Sequence, residues 1–194
     1  MKIKNCDVCG KDIKILVDLI VLWYNVVMSI IYRPCGMARE YSPYALNIYI
    51  GCSHRCKYCY APHTLQRKDS EYFGRSEPRK DILKLLEKDL QKNKYTEQVL
   101  LSFVGDCYCD SSDNGETVRE VLKMLNYYKV PVAVLSKGGK KMLRDLDIFK
   151  QFGDRITVGT TLTFLDEKNL KNGNLLLLLQ VKGLKLWKFF TTMT

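Results

Sequence analysis

Residues 98–136 read QVLLSFVGDCYCDSSDNGETVREVLKMLNYYKVPVAVLS. The stretch opens and closes on short apolar runs, QVLLSFV (98–104) and PVAVLS (131–136), each of strand length. Between them, Ser111–Gly115 is polar and turn-prone. Val118, Val121, Leu122 and Leu125 then recur at the spacing of one helix face. The order is strand, loop, helix, strand. Two neighbouring strands joined by a helical crossover run parallel.

The same rhythm extends both ways. Upstream, Ala45–Gly51 reads as a buried strand. A helix is expected near Asp81–Gln91, with Ile82, Leu83, Leu85, Leu86 and Leu90 on its apolar face and Ser76 and Pro78 as start signals. Downstream, Lys137-Gly-Gly139 ends the third strand. Met142, Leu143, Leu146 and Phe149 mark a third helix, and Arg155–Thr163 (RITVGTTLT) is a fourth strand. Four strands alternating with three helices make an α/β fold with a parallel sheet, open or closed into a barrel. Side chains at the carboxyl ends of such strands line the usual site.

The chain has 194 residues, enough for one domain with a short appendage. At 46% apolar and 27% charged residues it is neither a disordered tail nor a fibrous repeat. Its formal charge of +10 suggests an anionic partner without saying anything about fold. Residues 52–94 hold 11 Lys/Arg against six Asp/Glu, many on one amphipathic helix that is simply solvated. No recognition-helix or aromatic RNA-binding signature accompanies them. Eight cysteines lie mostly in close clusters, and no cleavable leader is evident. Metal or redox chemistry in a cytoplasmic protein is therefore expected, rather than a disulfide scaffold.

The sharpest motif is Gly51-Cys52-Ser-His-Arg-Cys56-Lys-Tyr-Cys59-Tyr60, directly after the first strand. Three thiolates on one tight loop can hold three irons of a [4Fe–4S] cube and leave the fourth open to a small molecule. Ferredoxin runs have a narrower first gap and a fourth cysteine, which argues against plain electron transfer. The other reading is zinc, with His54 or His63 as fourth ligand, in a nucleic-acid module. Zinc sites usually pair two close couples of ligands, and no second couple has matching spacing.

The spacing is that of the radical S-adenosylmethionine (SAM) enzymes. Beyond the cysteines, the chain resembles the spore photoproduct lyase-like group, often labelled DNA repair photolyases. The matching stretches are REYSPYALN (39–47), GCSHRCKYCYAPHT (51–64), LLSFVGDCYCD (100–110), PVAVLSKGG (131–139) and VGTTLTF (158–164), within residues 31–165. The resemblance implies a partial (β/α) barrel with Cys52, Cys56 and Cys59 as the cluster ligands. SAM would chelate the open iron. One-electron reduction, from a donor such as a flavodoxin or ferredoxin, would release a 5′-deoxyadenosyl radical that abstracts hydrogen from a substrate. DNA as that substrate rests on the likeness alone.

Other residues gain roles from the same likeness. Tyr58 stands where the family carries an aromatic residue near the adenine. Lys137, after a strand aimed at the site, is placed to pair with the SAM carboxylate. Asp106 would hold ribose hydroxyls or order the site, and Thr160 and Thr161 have weaker claims. The C-x-C spacing of Cys107 and Cys109 also suggests a second metal site, though lone pairs commonly do not chelate, or a hydrogen donor to a substrate radical. True spore photoproduct lyases carry a cysteine a few residues before this aspartate. Here Phe103-Val-Gly precedes it, which puts thymine-dimer repair itself in doubt. Cys6 and Cys9 have no partner pair, and Cys35 has no assignable role.

Both ends break the pattern. Residues 1–31 form an N-terminal extension, and Ile15–Ile31 is an apolar run interrupted by Asp18, Asn25 and Ser29. An aspartate within the run disfavours a membrane span, so a buried segment or translated upstream sequence is the expectation. The core spans 32–167 and supplies four of the family's roughly six βα units. The tail from 168 to 194 contains five successive leucines, 175–179, and none of the family's continuing W-E-P motif. Shifting each codon by one nucleotide permits KWEPAAAASSKRIETLEILHDN, so a frameshift near Asn169–Lys171 is expected. An inactive fragment that only binds a cluster is then an alternative function.

Overall fold

The computed structural model describes residues 29–160 apart from residue 75. The chain divides into units Met1–Ile30 and Ile31–Thr194, and the fold below is that of the second. The expectations for the amino-terminal apolar run, for Cys6 and Cys9, for Thr161 and for the carboxyl-terminal tail lie outside the described residues. Among the described residues no helix is long and apolar enough to cross a membrane.

Four strands form one parallel sheet: β1 (Tyr44–Leu46), β4 (Val99–Leu101), β5 (Val132–Ser136) and β6 (Ile156–Thr160), in the order β1-β4-β5-β6. Ala45 pairs with Leu100, Leu100 with Ala133, and Val134 with Val158. A second, two-stranded ribbon pairs β2 (Tyr49–Ile50) with β3 (Glu77–Pro78) antiparallel. Short helices α1 (Ala61–Thr64) and α2 (Asp69–Tyr72) follow β2. The three longer helices are α3 (Ile82–Lys92), α4 (Glu116–Tyr127) and α5 (Leu146–Phe152), with α4 packed beside both of the others. This is the α/β fold with a parallel sheet that the alternating pattern implies.

The core is built from the residues that carry that pattern. Val99, Leu101 and Val132 are fully buried, as are Leu86 of α3 and Val118, Val121, Leu122 and Leu125 of α4. Strands covered on both faces have no polar side to show, which explains their unbroken apolar runs. Asp89 is the polar exception on the buried face of α3. Its carboxylate accepts hydrogen bonds from the Ile31 amide (2.9 Å), the Asn93 side chain (2.7 Å) and the Tyr95 hydroxyl (2.8 Å).

Four boundaries differ from the sequence reading. The single strand expected over Ala45–Gly51 is two, because Asn47 takes its chain out of the sheet. The Asn47 Oδ1 accepts from the amides of Phe103 and Val104 just past β4 (3.0 and 3.1 Å), and the following residues pair with β3 instead. Ser76 does not start α3. It is fully buried, bridges to Ser111, and donates its amide to the Asp110 carbonyl (3.0 Å). The strand expected over 98–104 stops at Leu101, since Ser102 turns to a φ of 70°. The third helix opens as a 3-10 segment, Gly139–Asp145, before α5.

Candidate cofactor site

The loops leaving the carboxyl ends of β1, β4 and β5 meet around the cysteine motif. Backbone and side-chain bonds tie the motif down along its length. The Cys52 amide donates to the Tyr72 carbonyl (3.1 Å), and the Asp110 amide to the Ser53 hydroxyl (2.8 Å). The Tyr60 hydroxyl donates to the Phe103 carbonyl (2.8 Å), and one turn joins the Cys59 amide to the Cys56 carbonyl (3.0 Å). Gly105 lets the β4 loop come this close. Its φ is +93°, and a Cβ there would stand 3.0 Å from the Gly51 carbonyl oxygen.

All six cysteines among the described residues are free thiols. Cys52 is buried in a cluster with Ala61, Tyr72 and Cys109, and Cys59 packs against it. Cys52 and Cys109 are linked thiol to thiol. That shared bond pushes the Cys52 thiol up and draws Cys109 down, helped by the Ser76 hydroxyl 3.0 Å from the Cys109 sulfur. Among the described residues no group of three His, Cys, Asp or Glu side chains stands close enough to hold a metal ion in this arrangement. The three motif cysteines therefore share a loop without being gathered into a finished ligand triad.

Asp106 knits the loops together. It is 8% exposed, and each oxygen has two neighbours. Its Oδ1 accepts from the Ser136 hydroxyl (2.6 Å) and the Tyr108 amide (2.8 Å). Its Oδ2 accepts from the Lys137 amide (2.7 Å) and lies 3.1 Å from His54 Nε2. Burial alone would raise its pKa, but His54, Ser136 and the Lys137 amide outweigh that, and the net shift is downward. One carboxylate thus joins the cysteine loop to the ends of β4 and β5.

Lys137 and Tyr58 also meet. The ammonium lies 5.8 Å from the centroid of the Tyr58 ring, within cation–π range, and the ring is 60% exposed. Of the residues picked out in the sequence, Cys52, Cys59, Asp106, Lys137 and Tyr58 belong to one neighbourhood. Cys107 is fully buried, while Cys109 sits by Cys52; the two do not form a metal group. Cys35 is exposed. Sequence reasoning missed Ser136 and Tyr72, and weighed His54 only as a zinc ligand. The place of Ser136 at the end of a predicted strand was a usable signal; Tyr72 gave none.

A family model for the Radical SAM superfamily matches residues 46–173, more than half of the chain. The chain belongs to the radical SAM superfamily. Membership implies a [4Fe–4S] cluster and SAM as cofactors. Over 129 residues this radical SAM protein is 34% identical to the uncharacterized protein MJ0683 of Methanocaldococcus jannaschii, an alignment covering 66% of the chain and 47% of that protein. The chain thus spans about half the length of the curated relative it matches. No solved structure matches it.

The donor set suits such a cluster. Free thiols are soft ligands for iron–sulfur clusters. Tyr72, packed in the same buried group as Cys52 and Cys109, has a buried hydroxyl with no hydrogen-bond partner of its own. Both features fit an acceptor-rich sulfur cluster at this loop.

Proposed function

We propose that this radical SAM protein belongs to the spore photoproduct lyase-like group and that Cys52, Cys56 and Cys59 are its cluster ligands. The observation that carries this reading is the meeting of the cysteine loop, Asp106 and the Lys137–Tyr58 pair at the carboxyl ends of the sheet strands. That is where α/β folds keep their ligands. Held by these thiols, a reduced cluster would supply the one-electron chemistry that cleaves the sulfur–C5′ bond of SAM.

The chain's own residues bind and orient. The three thiols lose their protons to become ligands. The Lys137 ammonium offers a counter-charge for the SAM carboxylate, and the exposed Tyr58 face lies beside it for the adenine. Asp106, its oxygens already engaged, acts as a positioning residue that fixes His54 and the Lys137 backbone. The core of residues 32–167 carries this chemistry, with 1–31 an extension and 168–194 a tail outside it. DNA as substrate is supported by the likeness in sequence alone, and a flavodoxin or ferredoxin suits the electron donor.

Anaerobic reconstitution of the full chain tests the assignment. Iron and acid-labile sulfide at about four each per chain, and 5′-deoxyadenosine released on reduction with SAM, are expected. Replacing any one of Cys52, Cys56 or Cys59 by alanine should abolish both. Lys137→Ala should keep the iron and weaken SAM binding about tenfold, as loss of one charge-assisted contact does. Stoichiometric zinc without sulfide would contradict the reading and favour a zinc module.

A further inference from the structure

Tyr72 closes α2, thirteen residues after the last motif cysteine. Its side chain is 1% exposed, and its ring meets Phe73 edge-on at 5.2 Å. Its hydroxyl is buried with no hydrogen-bond partner. A buried hydroxyl left unpaired is costly, and native folds rarely keep one without cause. Phenylalanine would fill the same space without that cost.

The surroundings indicate what the hydroxyl serves. The ring belongs to the cluster of Cys52, Ala61 and Cys109, against which Cys59 packs. The Tyr72 carbonyl holds the Cys52 amide, so ring and cysteine keep a fixed relation. The hydroxyl thus lies in a buried group of residues that includes Cys52, Cys59 and Cys109, and it bonds none of their sulfurs in this structure. A neutral thiol is a weak acceptor; a thiolate or a sulfide is a better one.

We propose that the Tyr72 hydroxyl donates a hydrogen bond to a sulfur of the bound cluster or its ligand thiolates, and so raises the cluster's reduction potential. The inference rests on the cluster assignment above. A donor to sulfur stabilises the more negatively charged, reduced state more than the oxidised one, and such bonds help set iron–sulfur potentials. Tyr72 is then a positioning and tuning residue rather than a ligand. It needs no proton transfer and no change of oxidation state of its own.

Tyr72→Phe in the full chain tests this by two readouts besides turnover. In the metal-free protein the substitution should not lower the unfolding midpoint, because the oxygen it removes has no partner there. In the reconstituted protein, iron and sulfide should stay at wild-type levels. A dithionite titration followed by electron paramagnetic resonance should then show one-electron reduction about tenfold less favourable, a potential ~59 mV more negative. An exchangeable-proton coupling seen in the reduced wild type should also be missing. A cluster present at wild-type level with unchanged potential would overturn the proposal. So would a variant that takes up no iron, which would give Tyr72 a role in assembly instead. Wild-type protein that binds no cluster would instead sink the assignment of the cysteines, a separate failure.

Discussion

Asp106 gathers His54, Ser136, Tyr108 and Lys137 on two oxygens, and three of these contacts reach other loops. A buried carboxylate is tolerated only when it is matched in this way, and removing it strands its donors. Asp106→Ala should destabilise the metal-free chain by about 3 kcal/mol, read as a lower denaturant midpoint. If the carboxylate served the ribose alone, the metal-free chain would hardly notice its loss. The sequence suggested both roles for Asp106 and could not choose. Its partners come from positions 54, 136 and 137, and no local spacing relates them.

The helices begin on loops that reach into the site. Asp113 serves α4 from two residues ahead of Gly115, accepting the amides of Gly115 (3.0 Å) and Thr117 (2.7 Å). Asp113→Ala should cost about 1 kcal/mol, the usual loss for a helix cap. Burial works upward on its pKa, yet bonds from Thr117, Ser111 and Gly115 win and hold it down at about 2. The sign follows: its contribution is complete above the ordinary carboxylate pKa near 4 and is lost as pH falls through about 2. The stability gap between wild type and Asp113→Asn, followed by urea unfolding, should close over that acid window. Element types were readable here because α4 and the four strands carry strong apolar periodicity. Their ends were not, because Asn47 and Ser76 make side-chain bonds to distant loops that override local signals.

Across the whole molecule, the loops after β4 and β5 support one another. Buried Asp145 accepts from Arg119 (2.9 Å), Arg144 (3.0 Å) and the Tyr108 hydroxyl (2.9 Å), joining α4, the 3-10 segment and the β4 loop. Gly138 is pressed against the same loop: a Cβ there would stand 2.6 Å from the Tyr108 Cβ and 2.7 Å from its carbonyl oxygen. Gly138→Ala should therefore cost about 1–3 kcal/mol by overpacking. It should also weaken SAM binding, since Lys137 must shift with its neighbour; calorimetry on reconstituted protein would register this. The parallel sheet and the cysteine motif were legible from sequence because both are written locally. The mutual bracing of the loops was not, as it joins residues far apart in the chain.

The most direct measurement is the electron paramagnetic resonance spectrum of the anaerobically reconstituted full chain after dithionite reduction, recorded with and without SAM. A [4Fe–4S] signal that changes when SAM is added, and disappears in Cys52→Ala, is the predicted result. A chain that stays silent after reconstitution, or whose signal ignores SAM and survives loss of Cys52, would contradict the account.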